Sequence, residues 1–78
     1  MEHKYKVGDL VVVTKPREPE NKGKIGKIIN IDNSRRCITV RYMFNSNFKR
    51  IKNLRGMFEP ERLEIYNGSE DSLNILSL

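Results

Sequence analysis

The chain has 78 residues, of which 32% are charged and 37% are hydrophobic, and its formal net charge is +5. A chain of this length forms one domain with a small core and leaves no room for the deep, enclosed pocket of an enzyme. We therefore expect a soluble, folded, non-catalytic protein that uses no cofactor and no small-molecule substrate.

The charges are unevenly placed along the chain. Residues 1–57 carry 14 Lys and Arg against 5 Asp and Glu, a net charge of +9, whereas residues 58–78 carry 1 against 5, a net charge of −4. The basic part predicts a polyanionic partner, with nucleic acid first. The alternative is that these charges only form the solvated surface of a basic protein and bind no partner.

Residues that carry chemistry are few. Cys37 and His3 are the only cysteine and histidine, which excludes an internal disulfide and four-ligand zinc and fits a reducing cytoplasm. The carboxylates show no metal-binding spacing, and the segment between Gly23 and Gly26 lacks the ending of a P-loop. We expect Cys37 to be a buried, small apolar residue. No apolar run has membrane-spanning length, and the N-terminus lacks the apolar segment of a signal peptide.

The first predicted strand covers residues 10–15, after a Gly-Asp turn signal and before Pro16, which cannot donate to a strand ladder. Val11 and Val13 share one face, which we assign to the core. Residues 16–23 form a charged loop that its prolines stiffen.

The second predicted strand covers residues 24–32 and begins at a basic turn containing Gly23. Gly26 is expected to bend this strand sharply. Strict alternation fails because Ile28 and Ile29 are adjacent, and either a bulge or burial of both faces of the strand would reconcile the pattern. A bend of this kind lets a short sheet curl into a small barrel.

The third predicted strand covers residues 37–44 and follows a tight polar turn at residues 32–36. Ile38, Val40 and Tyr42 recur at every second position, which is the period of a half-buried strand. These three side chains are therefore predicted to face the core.

A long basic loop at residues 45–57 comes next, and its interior could either extend the hairpin or stay mobile. A short fourth strand is predicted at residues 57–59, a single 3₁₀ turn at residues 60–62, and a fifth strand at residues 63–66.

The last segment, residues 67–78, is predicted to be a tail separate from the domain at residues 1–66. Ser69 can cap a helix whose first turn holds two acidic residues, but only about two turns could form. The apolar side chains that would need cover from this domain or from a partner are Leu73, Ile75, Leu76 and Leu78.

Two segments, Lys-Val-Gly-Asp-Leu-Val-Val-Val at residues 6–13 and Lys-Gly-Lys-Ile-Gly-Lys-Ile at residues 22–28, resemble the KOW motif. This motif occurs in bacterial transcription elongation factors and some ribosomal proteins. Phe58, Pro60 and residues 63–65 resemble the closing turn and last strand of SH3-like barrels, which also occur in small phage proteins. The resemblance covers residues 6–66.

The fold class that follows is all-β, a five-stranded SH3-like barrel with a short C-terminal helical or disordered tail. The resemblance implies that the loops at residues 15–24 and 32–36 lie on the surface that contacts RNA or protein. Lys22, Lys24 and Lys27 would carry the basic character of the motif. Alternatively, these lysines keep an edge strand from aggregating.

The segment at residues 48–55 is the best candidate for binding, because cations follow a phosphate backbone and an aromatic ring stacks on an unpaired base. Alternatively, Phe48, Ile51 and Leu54 form one apolar stripe that packs on the barrel. The predicted nucleic-acid-binding residues are Lys15, Arg17, Lys22, Lys24, Lys27, Arg35, Arg36, Phe48, Lys49, Arg50, Lys52 and Arg55.

Two functions from different classes remain. The first is a non-catalytic module that binds RNA or DNA through basic loops. The second is an adaptor or inhibitor that docks on an acidic surface of a polymerase, ribosome or nuclease, a description that a phage-encoded regulator would fit. The acidic, Leu-ending tail favours the second function, because it would repel nucleic acid and offers apolar anchors.

Overall fold

A computed structural model of the chain describes residues 5–52 and 54–76. Five strands form one antiparallel sheet in the order β4-β3-β2-β1-β5, and a short helix follows. In this part of the chain β4 pairs only with β3 and β5 only with β1, so the sheet is not closed into a barrel. The elements are β1 (Leu10–Val13), β2 (Ile25–Asp32), β3 (Cys37–Phe44), β4 (Arg55–Phe58), β5 (Leu63–Ile65) and α1 (Glu70–Leu76), with 3₁₀ turns at Pro19–Asn21 and Pro60–Arg62.

Strand β1 confirms the predicted orientation, because Val11 and Val13 are buried and alternate with half-buried neighbours. The strand ends two residues earlier than predicted. The amides of Thr14 and Lys15 both donate to the carbonyl oxygen of Arg62, at 3.0 and 3.3 Å. The chain therefore turns onto the Pro60–Arg62 segment instead of continuing along β2.

Strand β2 is irregular at Gly26, where the sequence predicted a bend or bulge. Its pairing with β3 shifts register between Ile25 and Gly26 and again between Ile28 and Asn30. The second shift leaves Ile29 outside the ladder, with 37% of its surface exposed. The adjacent isoleucines are therefore reconciled by a bulge, one of the two predicted alternatives.

Strand β3 has the predicted bounds, but β4 begins at Arg55 and not at residue 57 as predicted. Pairing with β3 sets the start of β4, because Arg55 lies opposite Arg41 and Gly56 opposite Val40. The sequence predicted that residues 55 and 56, which include a glycine, belong to the long basic loop. That glycine instead allows close packing, since a Cβ on Gly56 would lie 2.6 Å from Cε2 of Phe58.

The sheet has an apolar cluster on each face. We call the face that holds the larger cluster the inner face; its buried residues are Tyr5, Val11, Val13, Ile28, Ile38, Val40, Tyr42, Phe58 and Leu63. Leu10 and Val12 alternate with these residues and point to the outer face. There they pack against a smaller cluster formed by Ile25, Phe44 and Leu73. Phe44 reaches the outer face because the register shift at Gly26 skips one residue of β3.

Helix α1 joins the outer cluster through one side chain. Ser69 caps the helix, as predicted, because its Oγ accepts a hydrogen bond of 3.1 Å from the amide of Ser72. Leu73 is fully buried, whereas Ile75 and Leu76 are exposed. Leu78 lies outside the described residues. None of the described helices has the length and apolar character needed to cross a membrane.

Candidate functional site

Three cations stand side by side on the outer face of the sheet. Lys27 of β2 lies opposite Arg41 of β3, and Arg41 lies opposite Arg55 of β4. Directly opposed residues of antiparallel strands project to the same face, and neighbouring strands are about 4.8 Å apart. Lys27, Arg41 and Arg55 therefore form a row across three strands, which we call the outer cation row.

Acidic side chains balance little of this charge. The Nζ of Lys27 lies 2.8 Å from a carboxylate oxygen of Glu70. Neither Arg41 nor Arg55 forms an ion pair within residues 5–52 and 54–76. Like charges placed directly opposite each other destabilise a sheet, so the two arginines carry an uncompensated cost.

The long basic loop brings further cations to the same face. Residue 50 forms a bridge with Phe44, and the amide of Ile51 donates to the carbonyl oxygen of Met43 at 2.9 Å. The interior of the loop therefore extends the hairpin at residues 50 and 51, which is one of the two predicted alternatives. A cavity of about 310 Å³ beside the outer cation row is lined by Arg41, Tyr42, Met43, Arg50, Ile51 and Lys52.

Arg50 has contacts within the fold. Its guanidinium carbon lies 5.5 Å from the centre of the Phe44 ring, and its Nη2 donates to Oδ1 of Asn74 in α1. Lys52 is exposed and forms no described ion pair. Among Lys27, Arg41, Arg50, Lys52 and Arg55, only Lys27 forms an ion pair within residues 5–52 and 54–76, and its partner is Glu70.

A second basic surface, which we call the loop groove, has a volume of about 710 Å³. The loop between β1 and β2, the turn between β2 and β3, and β4 converge on it. Its charged lining residues are Arg17, Glu18, Lys24, Arg35, Arg36, Arg55, Glu59 and Arg62.

Ion pairs compensate most of the cations in the loop groove. Glu59 accepts hydrogen bonds from Arg62 at 3.2 Å and from Arg17 at 3.0 Å, and these arginines lower the pKa of its carboxyl group. Arg36 pairs with Glu61 at 2.9 Å. The loop groove is therefore closer to electrical balance than the outer cation row.

The turn that presents Arg35 is held by Asp32. One carboxylate oxygen of Asp32 accepts hydrogen bonds from the hydroxyl and amide of Ser34 and from the amide of Arg35. The Ser34 hydroxyl is the main cause of the lowered pKa of Asp32. Arg35 also pairs weakly with Asp32, at 3.8 Å.

The aromatic rings of the loop groove do not offer open faces. Tyr42 and Phe58 belong to the inner cluster and are almost fully buried. Burial raises the pKa of the Tyr42 hydroxyl, so this group stays neutral. Lys24 lies over the Tyr42 ring, with 4.9 Å from Nζ to the ring centre, and donates to Oδ1 of Asn21 at 2.8 Å.

The structure divides the predicted binding residues between the two surfaces. Arg17, Lys24, Arg35 and Arg36 line the loop groove, whereas Lys27, Arg50 and Lys52 lie on or beside the outer cation row. Arg55 belongs to both. Lys15, Lys22 and Lys49 are exposed on loops.

Phe48 is half-buried against the outer cluster, at a positive φ of 62°. The proposed apolar stripe does not form, because Ile51 packs on the inner cluster and Leu54 is half exposed. Cys37 is only half-buried and lines the loop groove, so the prediction of a buried thiol was wrong. His3 lies outside the described residues.

Sequence reasoning missed Arg41. The alternation of the third strand already predicted that the Arg41 side chain projects to the face opposite that of Val40 and Tyr42. What the sequence did not reveal was the strand register, which sets Arg41 between Lys27 and Arg55. Among the described residues, no cluster of three His, Cys, Asp or Glu side chains could hold a metal ion.

Comparison of the chain with protein-family models, with curated proteins and with solved structures finds no match. Function must therefore be inferred from the chemistry of the two basic surfaces.

Proposed function

We propose that the protein is a non-catalytic nucleic-acid-binding module whose outer cation row contacts the phosphate backbone. The observation that carries this proposal is the alignment of Lys27, Arg41 and Arg55 on three adjacent strands, with Arg41 and Arg55 lacking an acidic partner in the part of the chain described. A phosphate backbone supplies closely spaced negative charges, which would relieve the repulsion between the opposed arginines.

The outer cation row supports this function better than the loop groove does. Of the five cations on and beside the row, only Lys27 is ion-paired within the described residues, whereas four of the groove's six cations, Arg17, Arg35, Arg36 and Arg62, are ion-paired. Cations already balanced by acids release fewer counterions when a polyanion binds, so they add less affinity.

The expected mode of binding is independent of base sequence. Contacts to phosphate fix position but carry no sequence information. Phe48, predicted to stack on a base, is half-buried against the outer cluster. Backbone charge, with little contribution from stacking, is therefore the proposed source of affinity for RNA or DNA.

The wider family assignment is part of this proposal. Five antiparallel strands, with the single-turn Pro60–Arg62 segment before the last strand, support an SH3-like, KOW-like fold. The sequence resemblance at residues 6–13 and 22–28 supports it as well. We also propose a cytoplasmic location, because a chain with a single cysteine cannot form an internal disulfide and suits a reducing compartment.

One observation favours the alternative function, an adaptor or inhibitor that docks on an acidic protein surface. Leu54 and Met57 line the loop groove and are 49% and 68% exposed. Apolar side chains beside cations are typical of protein interfaces. The exposed ion pairs of the groove are weak and would exchange readily for carboxylates of a partner.

The proposal is tested by measuring the affinity for oligothymidylate as a function of salt concentration. Arg41→Gln/Lys52→Gln removes two cations at the outer cation row and its adjacent cavity, and Arg35→Gln/Arg36→Gln removes two from the loop groove. The slope of log affinity against log salt should fall by about 1.4 in the first variant, at roughly 0.7 for each lost contact with a single strand.

The groove variant is the matched control, because it changes the net charge by the same amount. It should keep a slope close to that of the wild type. A larger loss in the groove variant would move the interface to the loop groove. Undetectable oligonucleotide binding in low salt would contradict the nucleic-acid function and favour the adaptor.

A further inference from the structure

The acidic helix α1 lies against the outer cation row. Glu70, its first residue, places a carboxylate oxygen 2.8 Å from Nζ of Lys27. One turn later, Asn74 accepts a hydrogen bond from Arg50. The hydrogen bond from Lys27 is the main cause of the lowered pKa of Glu70, and the charge of Arg50 lowers the pKa further. The Glu70 carboxylate therefore interacts with both cations.

The Glu70 carboxylate contacts Lys27 in the way that a bound anion would. A carboxylate and a phosphate oxygen both accept charge-assisted hydrogen bonds from a lysine ammonium group. Glu70 occupies the position at Lys27 that a backbone phosphate would need. Both side chains of the pair are partly exposed, at 39% for Lys27 and 44% for Glu70, so the exchange of one anion for the other is not blocked by burial.

Among the described residues, one buried side chain of α1, that of Leu73, packs on the sheet. The helix has seven residues, well below the roughly 12–15 needed for marginal stability in isolation. Leu73 is its only buried residue among those described, while Ile75 and Leu76 face solvent. Small changes in the contacts of Glu70 and Asn74 should therefore alter how firmly the helix is docked.

We propose that α1 is an intramolecular competitor for the outer cation row, in which Glu70 acts as an internal substitute for phosphate. This inference rests on the proposed function. A phosphate backbone that binds Lys27 displaces Glu70, and by linkage the bound polyanion weakens the docking of α1 to the same extent that α1 weakens polyanion binding. Helix α1 thereby lowers the affinity of the protein for nucleic acid.

The test compares Glu70→Gln with Asp71→Asn. Asp71 is the next residue of the same helix turn, is exposed, and forms no ion pair in the described part of the chain, so the two variants change the net charge equally. Glu70→Gln should bind oligothymidylate about two- to fivefold more tightly than Asp71→Asn in low salt, which is the usual range for a surface ion pair.

The salt dependence separates competition from a general charge effect. In Glu70→Gln, Lys27 becomes free to release its own counterion, so the slope should steepen by about 0.7. In Asp71→Asn the slope should not change. Equal affinities and slopes in the two variants would overturn the competition while leaving the nucleic-acid function intact. Failure of the wild type and both variants to bind would overturn both proposals.

A second readout follows the helix itself. Amide hydrogen exchange of Leu73 to Leu76 is measured in the wild-type protein with and without saturating oligothymidylate. Faster exchange in the complex is the expected result, because displacement of Glu70 loosens α1. Unchanged or slower exchange, with binding confirmed in the same sample, would overturn the competition.

Discussion

Gly26 lies at a register shift of the sheet, where β2 and β3 approach each other closely. A Cβ at this position would lie 2.5 Å from Cγ1 of Val40 and would overlap the carbonyl oxygen of Arg41. No side chain fits between β2 and β3 here unless the strands separate. The requirement for glycine was predicted from the sequence because the β-branched residues around it signal a strand, and glycine within a strand marks a bend or a close approach.

The first prediction concerns this position. Gly26→Val should lower the free energy of unfolding by more than about 1 kcal/mol, because the added atoms overlap backbone as well as side chain. Chemical denaturation measures the change. Ile29→Val, at the exposed bulge residue of the same strand, should change stability by less than about 0.5 kcal/mol. Equal effects would contradict the close approach of β2 and β3.

Glu59 gives a pH-dependent prediction. Hydrogen bonds from Arg62, and then from Arg17, lower the pKa of its carboxyl group below the ordinary value of 4.5. A lowered pKa in the folded state means that the ionised form stabilises the fold above pH 4.5, and that this contribution is lost as the pH falls through the lowered pKa.

The measurement is an NMR titration of the Glu59 carboxyl carbon in the wild type, Arg62→Gln and Arg17→Gln. The midpoint should lie below 4.5 in the wild type and should rise in both variants, more in Arg62→Gln. An unchanged midpoint in Arg62→Gln would show that the two side chains are not paired in solution.

At the scale of elements, strand existence was easier to predict than strand limits. The alternation of Ile38, Val40 and Tyr42 gave β3 its full length. The start of β4 was missed because Arg55 and Gly56 have the composition of a loop, and only their pairing with β3 makes them a strand. Such pairing depends on contacts distant in sequence, which local patterns do not contain.

Helix α1 provides a prediction with an internal control. Leu73→Ala should destabilise the protein by about 2–5 kcal/mol, because Leu73 lies on the side of α1 that packs against the sheet and is fully buried. Leu76→Ala makes the same chemical change in the same helix at a side chain that is 57% exposed, and should have little effect. Thermal or chemical denaturation measures both variants. Similar small effects would mean that α1 is not docked on the sheet.

At the scale of the whole molecule, the sequence predicted an excess of basic charge but not its arrangement. Residues predicted as one binding site are divided by the fold between the loop groove and the outer face. The register of the sheet decides this division, since it brings Lys27, Arg41 and Arg55 together from three segments. Arg41 could be identified as an outward residue from alternation, but its neighbours required the register.

The central claim is that nucleic acid binds on the outer face of the sheet. It is tested most directly by mapping amide chemical-shift changes in the wild-type protein as oligothymidylate is added. The largest changes should occur at Lys27, Arg41, Lys52 and Arg55, and at Glu70 of α1. Changes confined to the turn at residues 32–36 and the loop at residues 16–23, or no changes in low salt, would contradict the claim.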